Sequence, residues 1–148
     1  MRNPLTVKTS IRINAPRSKV WQALTDPELI KQYLFGTQAE SDWEKGSNIT
    51  YSGEWQGKQY QDKGKIIEIV PEKLLHTTYL SSASGKEDTP ENYANVIYGL
   101  AEAEGETVVS LSQDNVENEE QQKHLYENWS AVLQNLKQVL EKDMSYNG

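Results

Sequence analysis

His76 and His124 are the only histidines in the chain, and no cysteine accompanies them. An imidazole beside a carboxylate does general acid–base work, and histidines with cysteines at short spacing hold zinc. Neither spacing occurs here. His124 stands next to Lys123 in a charged stretch and reads as solvated. His76 lies in the strand-like run LLHTTYL, where a hydrogen-bonded role is simpler than a catalytic one. Asp114, Glu117, Glu119 and Glu120 gather ahead of a long helical pattern, and carboxylates there favour the helix dipole without any catalysis. Glu54, Asp62 and Glu68 fall in strands and read as outward-facing charges. The chain has no glycine-rich phosphate loop and no G-x-S-x-G elbow. Nothing implies a cofactor, a metal or a catalytic set.

The unusual chemistry is aromatic: four Trp and eight Tyr stand against a single Phe. Tyr and Trp carry a polar atom that wants a partner when buried, whereas a core built for stability alone uses Phe, Leu and Ile. Trp43, Tyr51, Trp55, Tyr60, Tyr79 and Trp129 could therefore line a pocket that is apolar with a few hydrogen-bonding points. Packing in the core or at half-exposed positions is the alternative for each.

These residues need elements to hold them. LTVKTSIRIN alternates with period two, placing Leu5, Val7, Ile11 and Ile13 on one face of a strand. Pro16 suits the first position of a helix carrying Val20, Trp21 and Leu24. Thr25 or Asp26 can cap a second, with Pro27 at its start, Leu29, Ile30, Tyr33 and Leu34 facing inward, and Gly36 after it. Turn signals then recur at Glu44-Lys45-Gly46, Gln56-Gly57-Lys58, Pro71-Glu72-Lys73, Ser84-Gly85-Lys86 and Glu104-Gly105-Glu106. Hairpin-length turns between short strands indicate an antiparallel sheet. From Glu119 to Lys142, the residues Leu125, Trp129, Val132, Leu133, Leu136, Val139 and Leu140 form a helical stripe. Such a helix, about 35 Å long, reaches across a six-stranded sheet.

The expected fold is α+β: a curved antiparallel sheet of six to seven strands around a long C-terminal helix, with two short helices after the first strand. If the last hairpin turns at Ala103–Gly105, Asn95 pairs with Gln113 and both continue the helix-facing side, where two amides could orient a ligand's polar group. Solvated strand ends are the alternative. For the hairpin before it, one residue more or less in the turn decides whether His76 or Tyr79 faces inward.

At 148 residues the chain is most economically one domain. Fifteen basic against 22 acidic residues give a net charge of −7, a poor match for nucleic acid or an anionic membrane. No apolar run reaches the roughly 18 residues of a membrane span, and MRNPLTVKTS lacks the apolar stretch of a secretory signal. A soluble cytoplasmic protein is the expectation.

In order along the chain, I-N-A-P-x-S-x-V-W-x-A-L-T-D-P-E (13–28), W-x-x-G-S (43–47), G-K-I-I-E-I-V-P-E-K-L-L-H-T-T (64–78) and W-S-A-V-L-Q-N-L-K (129–137) are familiar phrases. The chain resembles the heat shock protein 90 ATPase activator homologue-like family, within the START-like, birch-pollen-allergen-like helix-grip group (the SRPBCC superfamily). The resemblance implies a cavity between sheet and C-terminal helix that takes a small hydrophobic molecule of lipid, sterol or polyketide type. It implies that Trp21 and Tyr33 border that cavity from the two short helices. A few relatives do chemistry there, so a cyclase, dehydratase or hydrolase is one alternative. A chaperone-associated interaction protein is another. The eukaryotic activator resembles this chain only in its C-terminal domain, while a separate N-terminal domain makes its main chaperone contact. The candidate ligand-binding set is thus Trp21, Tyr33, Trp43, Tyr51, Trp55, His76, Tyr79, Asn95, Gln113 and Trp129.

Overall fold

The alternating N-terminal run becomes an edge strand, β1 (Leu5–Ile13), with Val7 and Ile13 buried. In the computed structural model, which describes residues 5–34, 36–55, 57–81 and 86–147 without the side chains of Trp55 and 143–147, ten principal elements follow one another. Helices α1 (Arg17–Thr25) and α2 (Pro27–Tyr33) come next, then β2 (Gln38–Ser41), β3 (Asn48–Trp55), β4 (Lys58–Val70), β5 (Leu74–Tyr79), β6 (Ala94–Ala103), β7 (Glu106–Val116) and α3 (Glu119–Asn147). The strands form one curved, seven-stranded antiparallel sheet in the order β1-β7-β6-β5-β4-β3-β2. The expected helix-grip architecture is present.

Local chemistry sets the helix starts. Pro16 stands one position earlier than expected, just ahead of α1. Asp26 rather than Thr25 caps α2, its Oδ1 accepting from the Glu28 amide at 3.0 Å. Ahead of α3, Asn118 Oδ1 accepts from the Gln121 amide at 2.8 Å, and Gln121 Oε1 accepts from the Glu117 amide at 2.8 Å.

Helix α3 is tied along β1. Gln122 donates to the Thr6 carbonyl, Thr9 and Ser130 share a hydroxyl contact, Lys137 donates to the Arg12 carbonyl and Glu141 accepts from the Asn14 amide. The two run in the same direction, and Val132, Leu133, Leu136 and Leu140 are buried against the sheet. Helix α1 lies near β6 and β7, and α2 near β2. Among the described residues no helix comes as close to β3, β4 or β5.

Two registers differ from expectation. The β6–β7 turn contains two residues, not three: Glu104 and Gly105 have φ of 53° and 83°, and Ala103 pairs with Glu106. This is the primed two-residue turn that matches strand twist. The register therefore moves by one, and a one-residue shift exchanges the faces of a strand. Val96, Tyr98 and Leu100 face the helices in place of Asn95 and Ile97. Between β4 and β5, Val70 pairs with Leu74, and Ile67 bulges out between Ile66 and Glu68. Leu75, Thr77 and Tyr79 then point inward and His76 outward. Gln56 and Ser84-Gly85, in two of the expected turns, lie outside the described residues.

Candidate functional site

Directly opposed residues of neighbouring strands share a face. Tyr51 opposes Asp62, and Ile66 opposes Thr77, which opposes Val96, which opposes Gln113. Leu75 opposes Tyr98, and Tyr79 opposes Ala94. Tyr51, Asp62, Thr77, Tyr79, Tyr98 and Gln113 thus stand on the face that the helices cover.

Some of these polar atoms are paired. Tyr79 donates to Asp62 Oδ2 at 2.6 Å, so Asp62 faces inward rather than outward as its sequence context suggests. Trp129 of α3 donates from Nε1 to Gln113 Oε1 at 2.7 Å and sets its ring edge-on to Tyr98, centroids 6.4 Å apart at 88°. Tyr51 and Tyr79 lie 6.3 Å apart and tilted. Tyr60 and Thr37 share a hydroxyl contact of 2.6 Å, with the Tyr60 side chain over Gly53, where a Cβ would meet its hydroxyl oxygen at 2.6 Å.

Tyr33 is 2% exposed and Tyr98 7%, and Tyr51 is half-buried, yet no hydroxyl of the three bonds to a described residue. Thr77, 4% exposed, is in the same position. Among the described residues, no fully buried side-chain oxygen or nitrogen lacks a partner. The four hydroxyls are therefore open to a space wide enough for water.

Burial pushes the Tyr33 hydroxyl well above the ordinary tyrosine range, and Tyr98 and Tyr51 push it further. Burial also raises Tyr51, and it raises Tyr98, with Tyr51 adding to it. Tyr79 is raised by burial first and by the Asp62 carboxylate second. All four hydroxyls stay protonated and able to donate across the neutral range.

The remaining candidates divide. Trp21 packs half-buried against the core on α1. Trp43 does the same from the β2–β3 connection with φ of 56°, a left-handed backbone that a bulky residue rarely takes; its amide donates to Ser41 Oγ at 3.0 Å. Trp55 ends β3, and its side chain lies outside the described residues. His76 and Asn95 stand together on the outer face: His76 Nε2 is 2.8 Å from Asn95 Oδ1, and Asn95 donates to Asp114 from its backbone and side chain. Asn95 is thus corrected from the helix-facing side to the opposite one, while Gln113 keeps the inward position. Sequence reasoning passed over Asp62, Thr77 and Tyr98. The two-residue Glu-Gly turn was the signal that would have found Tyr98.

An open depression lies at the start of α3, lined by Glu117, Glu120, Lys123, His124 and Glu127. It is charged and open to solvent.

Residues 14–141 match the sequence profile of the family described as activator of Hsp90 ATPase homolog 1-like protein. The chain belongs to that family. A protein from Cytophaga hutchinsonii with a solution structure is 44% identical to it over 98% of this chain and 99% of its own, at a TM-score of 0.85. Two more distant structures share the activator-like fold. One is the Aha1 dimer from Colwellia psychrerythraea, 21% identical over 93% of this chain and 96% of its own, TM-score 0.74. The other is DynU16, a protein in the dynemicin biosynthetic locus, 17% identical over 92% of this chain and 47% of its own, TM-score 0.75. No curated protein matches the chain significantly. Among the described residues no helix is long and apolar enough to cross a membrane.

Proposed function

We propose that this activator-like protein binds a small hydrophobic molecule between the inner face of β3–β6 and its helices. The observation that carries the reading is the set of open hydroxyls on a face that is otherwise largely apolar, its Asp62 and Gln113 being engaged by Tyr79 and Trp129. Hydroxyls that face an accessible space without a protein partner are satisfied by water or by a ligand, and a mostly hydrophobic molecule with a polar group can take that place. The walls are Tyr51, Tyr79, Tyr98 and Trp129 with Ile66, Leu75 and Val96, the apolar lining with few polar points that small-molecule sites use. The biosynthetic locus of DynU16, a protein of the same fold, is compatible with a polyketide-like ligand here. A cytoplasmic location belongs to the same reading.

His76 on the outer face leaves the inner face without an imidazole, and Asp62, the inward carboxylate, is engaged by Tyr79. The arrangement suits holding a ligand more than transforming one. Native mass spectrometry after incubation with cytoplasmic extract tests it. A discrete small-molecule mass that disappears on denaturation is expected; an unliganded mass throughout would count against it.

A further inference from the structure

From the opposite side of the sheet we infer that a second copy of this chain docks on the outer face, related to the first by a two-fold axis along β6. The helices pack on the inner face, so among the described residues the outer face has no covering layer. A sheet face left to water is normally polar. Here Val70, Leu74, Ile97, Ala101 and Val108 stand on it, with the bulged Ile67 beside them. Ile67 is 41% exposed and Val70 37%.

The order of residues across the strands names the occupant. Direct register partners set Lys8, Ser112, Ile97, His76 and Glu68 in one outward row from β1 to β4. The next row is Ser10, Ser110, Gly99, Leu74 and Val70. Strand β6 is the middle of both. The first row has a cation at one end and an anion at the other, each two strands from Ile97, and both side chains reach solvent. The second has small side chains on β1 and β7, larger apolar ones on β5 and β4, and none at Gly99 between them.

A two-fold axis along β6 lays β1 of one copy over β4 of the other. Lys8 then stands over Glu68 at both ends, Ile97 meets Ile97, and Leu74 and Val70 lie over Ser110 and Ser10. In the row beyond, Asp114 is bonded to Asn95 and lies over Thr78, so like charges do not oppose. An axis across the strands would instead put β1 over β1, cation on cation. Arg12, the other large cation of β1, is taken up by Glu104 and Glu106 of its own chain. Lys45 lies 3.5 Å from Glu68 in an exposed pair, which a second lysine can share. Because the sheet curves toward its helices, two outer faces touch along β6 and spread apart toward β1 and β4. Long side chains at those ends bridge the wider gap. The patch is about 19 Å by 20 Å, roughly 400 Å² per copy, from the spacing of strands and of alternate residues. That is about half of a standard interface, which makes the dimer weak, with a Kd of about 10–100 µM.

Sedimentation equilibrium of the ligand-free chain, from about 5 to 500 µM in about 0.15 M salt, reads the dimer directly. A monomer–dimer equilibrium in that range is expected. K8E alone and E68K alone each turn both cross-pairs into like-charge contacts, and each should weaken self-association about tenfold. An equimolar mixture of the two variants puts opposite charges back at both cross-pairs. It should form mixed dimers within about threefold of the native affinity. I97K sets two cations at the axis and should be monomeric with native circular dichroism. A chain that is monomeric throughout leaves the face to a different partner and overturns the proposal. So does a dimer that persists in I97K, which belongs to another surface, or a mixture no tighter than the separate variants. If I97K fails to fold, the mixture decides alone, since Lys8 and Glu68 are solvent-accessible rim charges.

Discussion

Removing one hydroxyl should have opposite consequences at two tyrosines of the same face. In Tyr98→Phe the lost oxygen has no partner among the described residues, and the ring keeps its edge-on contact with Trp129. Only the burden of a desolvated polar group disappears. That burden is partly relieved by the open space the hydroxyl faces, so the variant should be unchanged or more stable by up to about 1 kcal/mol. In Tyr79→Phe the lost hydroxyl donates to a carboxylate at 2.6 Å. A hydrogen bond to a charged group is worth about 1.5–3 kcal/mol. Asp62 is half-exposed and water can replace part of the bond, which lowers the expected loss to about 1–2 kcal/mol. The two variants should differ by roughly 2 kcal/mol, or about 4–8 °C in melting temperature for a chain of this size. Urea unfolding of the ligand-free protein, followed by tryptophan fluorescence, measures both. If Y98F is destabilised as much as Y79F, the Tyr98 hydroxyl is bonded and the inner face is not open as described.

Three further outcomes follow from particular contacts. Tyr33, Tyr51, Tyr79 and Tyr98 all have folded-state pKa values raised above the ordinary tyrosine value, so the stability they give is full below about pH 10 and is lost as pH rises beyond it. In an absorbance titration near 295 nm these four should ionise only together with alkaline unfolding; independent titration near pH 10 with native circular dichroism intact would contradict this. Gly64→Ala places a Cβ 1.7 Å from the Thr78 carbonyl oxygen, so it should cost roughly 3 kcal/mol, measured by urea unfolding. Glu141 is held below the usual carboxylate range by Lys137 and then by the Asn14 amide, so its contribution is present at neutral pH and lost on acidification. Glu141→Gln should cost about 0.5–1 kcal/mol at pH 7 and almost nothing near pH 3, compared by denaturation at the two values.

The periodic features of the sequence predicted the architecture because burial imposes them. Val132, Leu133, Leu136 and Leu140 must repeat at helical spacing to stay on the sheet, and Leu5 to Ile13 must alternate to bury one face of an edge strand. The site was less legible, since facing depends on turns one residue long or short. Reading Ala103 as part of the last turn moved Asn95 inward and hid Tyr98; the observed Glu104-Gly105 turn does the reverse. The bulge at Ile67 is equally silent in the residue pattern, although the strand beyond it is placed by it. Asp62 looked like an outward charge because isolated strand carboxylates usually are. Only the three-dimensional register brings it opposite Tyr51 and within reach of Tyr79. The excess of Tyr and Trp over Phe was the signal that reached the site from composition alone, and four of those rings now stand around the open hydroxyls.

The central claim, that a small hydrophobic molecule occupies the space between the inner face and the helices, is tested most directly by nuclear Overhauser contacts in solution. The isotope-labelled protein would be saturated with unlabelled β-acetonaphthone. Contacts from the naphthyl protons to the rings of Tyr51, Tyr98 and Trp129 and to the methyls of Ile66 and Val96 are the predicted result. Contacts confined to exposed residues such as Ile67, Val70 or Tyr126, with the inner aromatic resonances unmoved, would contradict it.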